Sequence, residues 1–292
     1  MSDRAVIAAI LRVTDGGSST DQDLVAAEAP LEILLAHGFD TGAEAPQSIG
    51  LVMRTPGDDR DLVAGLLVNE QIVFDPADIL EVAFDAETGS GIEDAAARPA
   101  RARVTVARSV NLDALAAVRR VLDRTSACGL CGRLAMQAVQ MAGGRRTVDA
   151  PQIDAAVIAS IPARLRQGQA VFAETGGLHA AALCDLSGTP WLIREDVGRH
   201  NAVDKVVGAA FTAGRLPAVD SLLAVSGRVA YEIVQKASAA GVVGIVSVGA
   251  PSSLAVEAAR AAGMTLVGFV RDGRFNVYCG VERIGGPGRA PG

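Results

Sequence analysis

The two cysteines of Cys128-Gly129-Leu130-Cys131-Gly132 are the residues whose types and spacing point most directly to chemistry. Two thiols three positions apart can form a thiolate, a disulfide, a persulfide or half of a metal site. This spacing and nearby cations lower the pKa of a cysteine below its free value of about 8.5, and here Arg124 and Arg133 flank the pair while Asp123 partly opposes them. The glycines favour a mobile, approachable loop. The motif therefore predicts a reactive sulfur that a loop carries to a partner.

Other uses of this cysteine pair stay open. A tetrahedral zinc site needs two further ligands, but the chain has no second CxxC motif, and no ligand-spaced pair exists among its histidines, His37, His179 and His200. A thioredoxin-like dithiol has little support, because the motif follows a strand-rich first half and the single tryptophan, Trp191, is distant. Two inert thiols are the remaining alternative. The other cysteines, Cys184 and Cys279, lie in strand-like runs and are predicted to be small buried hydrophobes.

The composition limits the class of protein. With 292 residues, 50% hydrophobic and 21% charged, the chain is globular and long enough for one large or two moderate domains. A net charge of -6 argues against nonspecific electrostatic binding of nucleic acid. Any nucleotide that binds is therefore expected to be a small molecule. Four unevenly spaced cysteines do not form a secreted disulfide framework, and no apolar run reaches the length of a membrane span. We expect a cytoplasmic protein that binds neither nucleic acid nor membrane.

The first half predicts an α+β arrangement. Residues 14–30 are expected to be a polar lead-in, with the first fold unit starting near a strand at 31–35. A strand at 49–55 ends at Pro56-Gly57, and Asp58 is expected to cap the following helix. Further strands are predicted at 79–85 and 102–109, and a helix at 112–122 leads into the CxxC loop.

In the second half, predicted strands alternate with predicted helices, a pattern that is typical of an α/β domain. Its predicted elements are strands at 178–186 and 191–194, a helix at 199–212, strands at 222–225, 243–248 and 266–270, and helices at 229–240 and 253–262. The last three strands and the helices between them predict a parallel core. Asp272-Gly273 then favours a hairpin turn into an antiparallel edge strand at 275–278.

Several polar segments of this half are candidates for ligand binding. Ser226-Gly227-Arg228 and the segment 249–253 follow parallel strands and open helices, the position where α/β sheets bind ligands, although ordinary serine-capped helix starts would look the same. The segment from Arg194 to Lys205 holds seven ionisable residues in twelve, which indicates either a polar network around a ligand or a solvated helix start with local ion pairs. His179 is either a pocket residue or a partly buried, satisfied histidine.

Taken together, these motifs resemble the FdhD family, sulfurtransferases that act as formate dehydrogenase accessory proteins. The matching segments run in order along the chain: Met53-Arg54-Thr55-Pro56-Gly57, Cys128-Gly129-Leu130-Cys131-Gly132, Thr175-Gly176-Gly177-Leu178-His179, Arg194 to Lys205, Ser226-Gly227-Arg228, Gly249-Ala250-Pro251-Ser252-Ser253 and Gly268-Phe269-Val270-Arg271. One departure is Asn69-Glu70-Gln71-Ile72, where a glycine is expected after the glutamate. This departure does not involve any residue predicted to carry sulfur or to bind a ligand.

The resemblance implies a sulfur-transfer function. A cysteine desulfurase would load sulfur as a persulfide on the CxxC loop, which would pass it to the molybdenum cofactor, a bis-molybdopterin guanine dinucleotide destined for formate dehydrogenase. By position, Cys128 would carry the persulfide and Cys131 would be its helper or a second acceptor. The family also implies a homodimer.

The resemblance further implies a fold and a cofactor-binding segment. The fold would be a cytidine deaminase-like, three-layer α/β domain at 125–292 with a smaller N-terminal α+β subdomain at 1–124. The cofactor-binding segment falls on Phe269, Val270, Arg271, Asp272, Gly273 and Arg274. Two arginines at a hairpin turn can reach a pyrophosphate and the phenylalanine can stack on a flat ring, so a guanine nucleotide diphosphate is the expected mimic. The alternative is an exposed Asp-Gly hairpin without a ligand.

Two other functions are considered. A zinc deaminase needs an H-x-E segment ahead of a P-C-x-x-C segment, but the segment 177–181 lacks the glutamate and follows the CxxC motif, and no proline precedes Cys128. Deamination is therefore disfavoured, and no metal site is predicted. A second hypothesis is a chaperone that holds the molybdenum cofactor without forming a persulfide. It stays open because the sequence shows a dithiol and does not show whether that dithiol turns over sulfur.

Overall fold

The computed structural model describes residues 3–38, 46–85, 99–112 and 151–285. Cys128 and Cys131, with most of the helix predicted at 112–122, lie outside the described residues. So does the predicted domain boundary at 124/125, and the division of the chain at that point stays a prediction.

The chain begins with a long antiparallel hairpin. β1 (Ala5–Thr14) and β2 (Gly17–Ala26) pair along their full lengths. The prediction of a polar lead-in at 14–30 is therefore wrong. Most residues of β2 are exposed on both faces, so the strand carries polar residues such as Ser18 to Asp23 without the apolar alternation that marks a half-buried strand.

A four-stranded sheet with one helix completes the first half. Its elements are β3 (Ala29–His37), β4 (Gln47–Arg54), α1 (Asp59–Asn69), a 3₁₀ turn (Pro76–Asp78), β5 (Ile79–Asp85) and β6 (Ala100–Val106). The strand order is β4–β3–β6–β5, with β3 and β6 parallel and the other pairs antiparallel. These elements confirm the predicted strands and helix. Asp58, however, precedes α1 in a left-handed conformation (φ 54°) without a side-chain cap bond, and its carboxylate instead accepts from Arg4 at 2.7 Å.

The second half forms the α/β unit that the sequence predicts. Its elements are β7 (Ile153–Asp154), α2 (Ala155–Gln167), α3 (Ala170–Thr175), β8 (His179–Asp185), β9 (Pro190–Asp196), α4 (Arg199–Thr212), β10 (Ser221–Val225), α5 (Tyr231–Ala240), β11 (Gly244–Ser247), α6 (Ser253–Ala261), β12 (Thr265–Arg271), β13 (Arg274–Cys279), a 3₁₀ turn (Val281–Arg283) and β14 (Ile284–Gly285). Six strands form one sheet in the order β13–β12–β11–β10–β8–β9. Within it β10, β11 and β12 are parallel, and the other neighbours are antiparallel. The short strands β7 and β14 pair separately.

This six-stranded sheet is the middle of three layers. Residues such as Leu183 and Leu223 on one face pack in the cluster that contains the apolar sides of α4, α5 and α6. Their neighbours along the strands, such as Ala182 and Leu222, pack on the opposite face against α2. The alternation of side chains along a strand produces these two cores. The predicted α/β fold is confirmed, with an α+β first half joined to a three-layer second half.

Helices α1 and α4 join the two halves at close range. A Cβ atom added to Gly65 on α1 would overlap the backbone oxygen of Asp204 on α4, and one added to Gly208 would overlap that of Asp61. Glycines at both contact points therefore let the two backbones touch. One continuous hydrophobic cluster includes Leu67 of α1 and Val207 of α4, both completely buried.

A buried ion pair reinforces this junction. Lys205 Nζ lies 2.8 Å from Asp196 Oδ2 and donates to the carbonyl of Thr55 at 2.9 Å. The same carboxylate oxygen accepts from the Thr55 N–H at 3.1 Å. Asn201 Nδ2 donates to Asp196 Oδ1 at 2.9 Å and to the Met53 carbonyl at 2.8 Å. Two of the sequence motifs, 53–57 and 194–205, are thus bonded to each other.

The burial of this pair excludes one of the two interpretations that the sequence allowed for the segment 194–205. Asp196 and Lys205 are 0% and 1% exposed, so the segment 194–205 is not a solvated helix start. Four of its charged residues bond to the first half of the molecule: Arg194, Asp196, Asp204 and Lys205.

We expect Gly65→Ala to destabilise the protein by about 1 to 3 kcal/mol, because the added methyl group forces α1 away from α4. Alanine normally stabilises a helix relative to glycine by about 1 kcal/mol, so the sign of the change is diagnostic. Urea unfolding followed by circular dichroism measures it. Gly16→Ala is the control, since its new Cβ meets only Thr14 Oγ1 at 3.8 Å. A Gly65→Ala protein more stable than the wild type would contradict the close contact.

Lys205→Met should lower the free energy of unfolding by about 3 to 5 kcal/mol, because it leaves the Asp196 charge buried without a counter-ion. The matched control is Arg103→Met, which breaks the ion pair with Asp85, whose side chains are 54% and 47% exposed. Exposed pairs contribute little, so this control should unfold like the wild type. Equal losses in the two variants would show that the buried pair has no special structural role.

Candidate functional site

Two turns and the strand β12 meet at the carboxyl edge of the parallel strands. A Cβ atom on Gly249, after β11, would lie 2.7 Å from the Gly227 carbonyl oxygen after β10. The Phe269 N–H, in β12, donates to the Gly249 carbonyl at 3.1 Å, and Ser247 Oγ donates to the Gly227 carbonyl at 2.7 Å. The turns predicted from sequence therefore form one connected edge, the place where α/β sheets bind ligands.

Ser226 in the first turn and Ser252 in the second have different roles. Ser252 Oγ accepts from the Ala255 N–H at 3.2 Å and caps α6 in the ordinary way. Ser226 Oγ instead accepts from the N–H of Ala180 on the neighbouring strand at 2.9 Å, and α5 begins only at Tyr231. The serine-cap alternative is thus correct for the second turn and wrong for the first.

A cavity of about 470 Å³ opens at the same edge beside the start of β8. Its walls are mainly apolar, with Leu165 from α2, Phe172 from α3 and Val248 after β11. His179 and Ser226 contribute polar groups. The structure thus brings two of the sequence motifs, 175–179 and 226–228, to one cavity, and it places His179 in the cavity wall.

The histidines near this cavity are uncharged at neutral pH. Burial, and then the positive charge of Arg199, lower the pKa of His179. Burial, followed by the charges of Arg199 and Lys236, lowers the pKa of His200 to about 4. A neutral imidazole has one N–H donor and one acceptor nitrogen, so His179 can offer either to a ligand.

A buried glutamine in the cavity wall was missed by the sequence analysis. Gln169, between α2 and α3, is 4% exposed, and its Nε2 has no hydrogen-bond partner in the structure. Glu195 fixes the adjoining helix, since its carboxylate accepts from the N–H groups of Val171 and Phe172 at 3.0 and 2.9 Å. The sequence signal that could have predicted α2, the helix before Gln169, is the helical spacing of Ile158, Ile161 and Leu165, all of which are buried.

The predicted cofactor segment forms the β12–β13 hairpin. Asp272 and Gly273 both have positive φ values, 51° and 74°, which confirms the two-residue turn. Arg271 and Arg274 are cross-strand partners and hence lie on one face of the hairpin. Phe269 is 41% exposed, so its ring is accessible for stacking.

Not every residue of that segment is available to a ligand through its side chain. Val270 is fully buried against the α2 side of the sheet. Asp272 and Arg274 are 80% and 73% exposed and lie 4.0 Å apart, so their ion pair is weak and both side chains can turn to a ligand. The hairpin thus presents two guanidinium groups and one aromatic ring.

The described cysteines are unsuited to sulfur transfer. Cys184 is buried, and desolvation raises the pKa of its thiol to about 12. Burial also raises the pKa of Cys279, whose thiol donates to the Met264 carbonyl at 3.2 Å. Both are protonated at neutral pH, and because the thiolate is the nucleophile, neither is reactive. Cys184 is fully buried as the sequence predicted, whereas Cys279 is only partly so.

Two further features can be stated for the described part of the chain. No group of three or more His, Cys, Asp or Glu side chains in residues 3–38, 46–85, 99–112 and 151–285 is arranged to hold a metal ion. Over the same ranges, no helix combines the length and the apolar character that crossing a membrane requires.

Comparison with known proteins gives consistent matches over nearly the whole chain. The sulfur carrier protein FdhD of Nocardia farcinica is 43% identical over 280 residues, covering 94% of this chain and 93% of its own length. The proteins of the same name from Mycobacterium bovis and Sulfolobus acidocaldarius are 41% and 39% identical over 266 and 275 residues. They cover 91% and 94% of this chain, and 93% and 96% of their own lengths.

A solved structure supports the fold independently. The crystal structure of a Desulfotalea psychrophila protein, described as a formate dehydrogenase accessory protein, superposes with a TM-score of 0.68 at 23% sequence identity. The match covers 96% of this chain and 99% of that one. The model of the FdhD/NarQ family matches residues 26–285, which include all the motifs assembled at the carboxyl edge, and the chain belongs to this family.

Proposed function

We propose that this chain is a sulfurtransferase that carries persulfide sulfur from a cysteine desulfurase to the molybdenum cofactor of formate dehydrogenase. The observation that carries the proposal is the 43% identity, over 94% of the chain, to a protein named a sulfur carrier. The unreactive state of the described thiols agrees with it. Sulfur chemistry on this chain then falls to Cys128 and Cys131.

The transfer is a sequence of thiol exchanges. The Cys128 thiolate attacks the terminal sulfur of the donor's persulfide, a new S–S bond forms on Cys128, and the donor cysteine leaves as a thiolate. The Cys131 thiolate can then attack the inner sulfur of Cys128 and release hydrosulfide, which leaves a Cys128–Cys131 disulfide. A thiol reductant returns the pair to its starting state. These steps need reduced cysteines, which supports a cytoplasmic location.

The cargo of this reaction is bis-molybdopterin guanine dinucleotide, bound as substrate at the carboxyl edge. Arg271 and Arg274 can donate hydrogen bonds to its pyrophosphate groups, and the exposed Phe269 ring can stack on one of its flat rings. A guanine nucleotide diphosphate is the corresponding mimic. We infer further that the protein works as a homodimer and delivers its cargo to formate dehydrogenase.

A chaperone that binds the cofactor without carrying sulfur is the alternative. It shares the cargo site and differs only at the cysteines. Sulfur loading and cargo binding therefore require separate experiments.

Cys128→Ala should abolish both persulfide loading and the activation of formate dehydrogenase, because it removes the nucleophile from a predicted loop. Intact-mass measurement after incubation with a cysteine desulfurase and cysteine detects the added sulfur. Cys279→Ala is the matched control and should load normally, since its thiol is protonated and bonded to a backbone carbonyl. Normal activation by Cys128→Ala would favour the chaperone.

The Arg271→Ala, Arg274→Ala double variant should bind guanosine diphosphate more weakly, by about 1.5 to 3 kcal/mol for each charged hydrogen bond lost. Raised salt should weaken binding to the wild type as well, because both arginines are exposed to screening ions. Titration calorimetry measures the affinity, with Arg103→Ala on the separate four-stranded sheet as control.

Persulfide loading should be unchanged in the double arginine variant, since the sulfur donor and the cargo are different partners. Unaltered nucleotide affinity, or a loss of sulfur loading equal to the loss of cargo binding, would refute separate sites for sulfur and cargo.

A further inference from the structure

The hairpin of β1 and β2 forms an arm of which only the base is packed. Ala5 and Ala27 are each 9% exposed, and a Cβ atom on Gly177 would lie 3.1 Å from the Ala26 Cβ. Residues 11–23 are all exposed. A two-stranded hairpin on its own is at best marginally stable in water, and a third strand or a packed face stabilises it. The long exposed arm therefore indicates a contact with another molecule.

The two faces of the arm differ in charge. Cross-strand partners lie on the same face, and successive residues of a strand lie on opposite faces. One face carries the charged residues of both strands, Arg12, Asp21 and Asp23. The other face is uncharged and consists of Ile7, Ala9, Leu11 and Val13 of β1 with Ser18, Thr20, Gln22 and Leu24 of β2. Because Leu11 and Val13 are 65% and 72% exposed, β1 presents uncovered apolar side chains.

The long edge of β1 is open for pairing. In the part of the chain that the structure describes, β1 pairs only with β2. The Ala27 N–H donates to the Arg4 carbonyl at 2.9 Å, so these two residues form a hydrogen-bonded pair in line with the β1–β2 ladder. Such pairs alternate with non-bonded pairs along an antiparallel ladder. The N–H and C=O groups of the odd-numbered residues from 7 to 13 therefore point to the open edge.

Strand β2 is protected against pairing with another chain, whereas β1 is not. Charged residues on an edge strand hinder such pairing. β2 carries Asp21 and Asp23 near its middle, and pairing of two copies through β2 in the register centred on Gln22 would set Asp21 of each copy opposite Asp23 of the other. Like charges directly opposite each other are destabilising. The only charge of β1 is Arg12, close to the turn.

A second copy of this chain fits the β1 edge without placing like charges together. In an antiparallel pair of two β1 strands, the residues whose N–H and C=O groups point to the edge lie opposite each other, so odd-numbered residues face odd-numbered residues. The registers that meet this condition and pair the most residues are centred on Ala9 or Ile10. Arg12 then faces Val6 or Ala8 of the second copy. The uncharged faces of the two arms join into one face.

We propose that the open edge of β1 is the dimer surface of this protein, where the arms of two copies pair antiparallel and form a four-stranded sheet in the order β2–β1–β1–β2. The contact is isologous, because the same edge serves both copies. The inference gives a surface to the homodimer that we infer under the proposed function, and it rests on that inference. Antiparallel arms of equal length place each turn beside the base of the other arm. The apolar side chains of Leu11 and Val13 are thereby brought toward the body of the other copy.

A proline at position 9 tests the edge, because it removes an N–H group that points to the open edge and that β2 does not use. Light scattering should give the wild type twice the chain mass of 29.8 kDa. Analytical ultracentrifugation should show the dimer dissociation constant of Ala9→Pro raised by about tenfold or more, since the two-fold axis removes the bond twice. Gln22→Pro is the matched control. Gln22 is the cross-strand partner of Ala9 and its N–H points to the outer edge of β2, so this variant should dimerise like the wild type.

Hydrogen exchange tests the same edge without a substitution. In the wild-type dimer, the amides of Ala9 and Leu11 should exchange about tenfold or more slowly than those of their cross-strand partners Gln22 and Thr20, because only the β1 amides gain a hydrogen bond from the second copy. Dilution to the monomer should remove this difference. Equally fast exchange of the two sets of amides in the dimer would overturn the assignment.

The outcomes also separate this inference from the proposed function. If the wild type is a dimer and the two proline variants have equal dissociation constants, the homodimer stands and the β1 surface is wrong. A monomeric wild type overturns both. Loss of cysteine desulfurase binding in Ala9→Pro, with binding retained in Gln22→Pro, would then assign the edge to the sulfur donor instead of a second copy. Intact-mass measurement of persulfide on Cys128 tests sulfur transfer independently of these results.

Discussion

Asp196 and Lys205 form a buried ion pair within the second half, and the bonds of both residues to Thr55 of the first half hold the two halves in one arrangement. Removing two charges from water costs several kcal/mol for each ion, which good geometry and additional hydrogen bonds must offset. Here the carboxylate accepts from Lys205, Thr55 and Asn201, and the ammonium group also donates to the Thr55 carbonyl. Because Asp196 pairs across the sheet with His179, the same contact fixes one wall of the cavity.

The glycine contact between α1 and α4 makes this arrangement possible. Gly65 and Gly208 bring the helix backbones together. Helix α4 starts three residues after Asp196 and carries Lys205 about 1.7 turns after its start. Larger residues at either glycine would separate α1 from α4, and with α1 would move the Thr55 segment away from the ion pair. Packing of small residues therefore controls an electrostatic contact, which in turn positions the edge where the motifs meet.

Sequence reasoning predicted the elements whose burial produces an apolar pattern in the sequence, and it missed the elements without such a pattern. The strands at 222–225 and 266–270 are apolar runs between helical patterns, and Asp272-Gly273 has the chemistry of its turn, so all were predictable. Strand β2 is exposed on both faces and carries no period. The role of Lys205 was missed for a related reason. In the sequence, a run of charged residues resembles a solvated surface, and only the fold shows that the segment 53–57 of the same chain packs against it.

The local charge of the carboxyl edge would allow an acidic protein to hold the anionic cargo that we propose for it. The chain carries a net charge of -6, yet the exposed side chains of Arg228, Arg271 and Arg274 all follow parallel strands at this edge. At physiological salt the Debye length is about 8 Å, so carboxylates beyond that distance are screened more strongly than arginines in contact with a phosphate. On this proposal, affinity for the pyrophosphate would be set by these arginines.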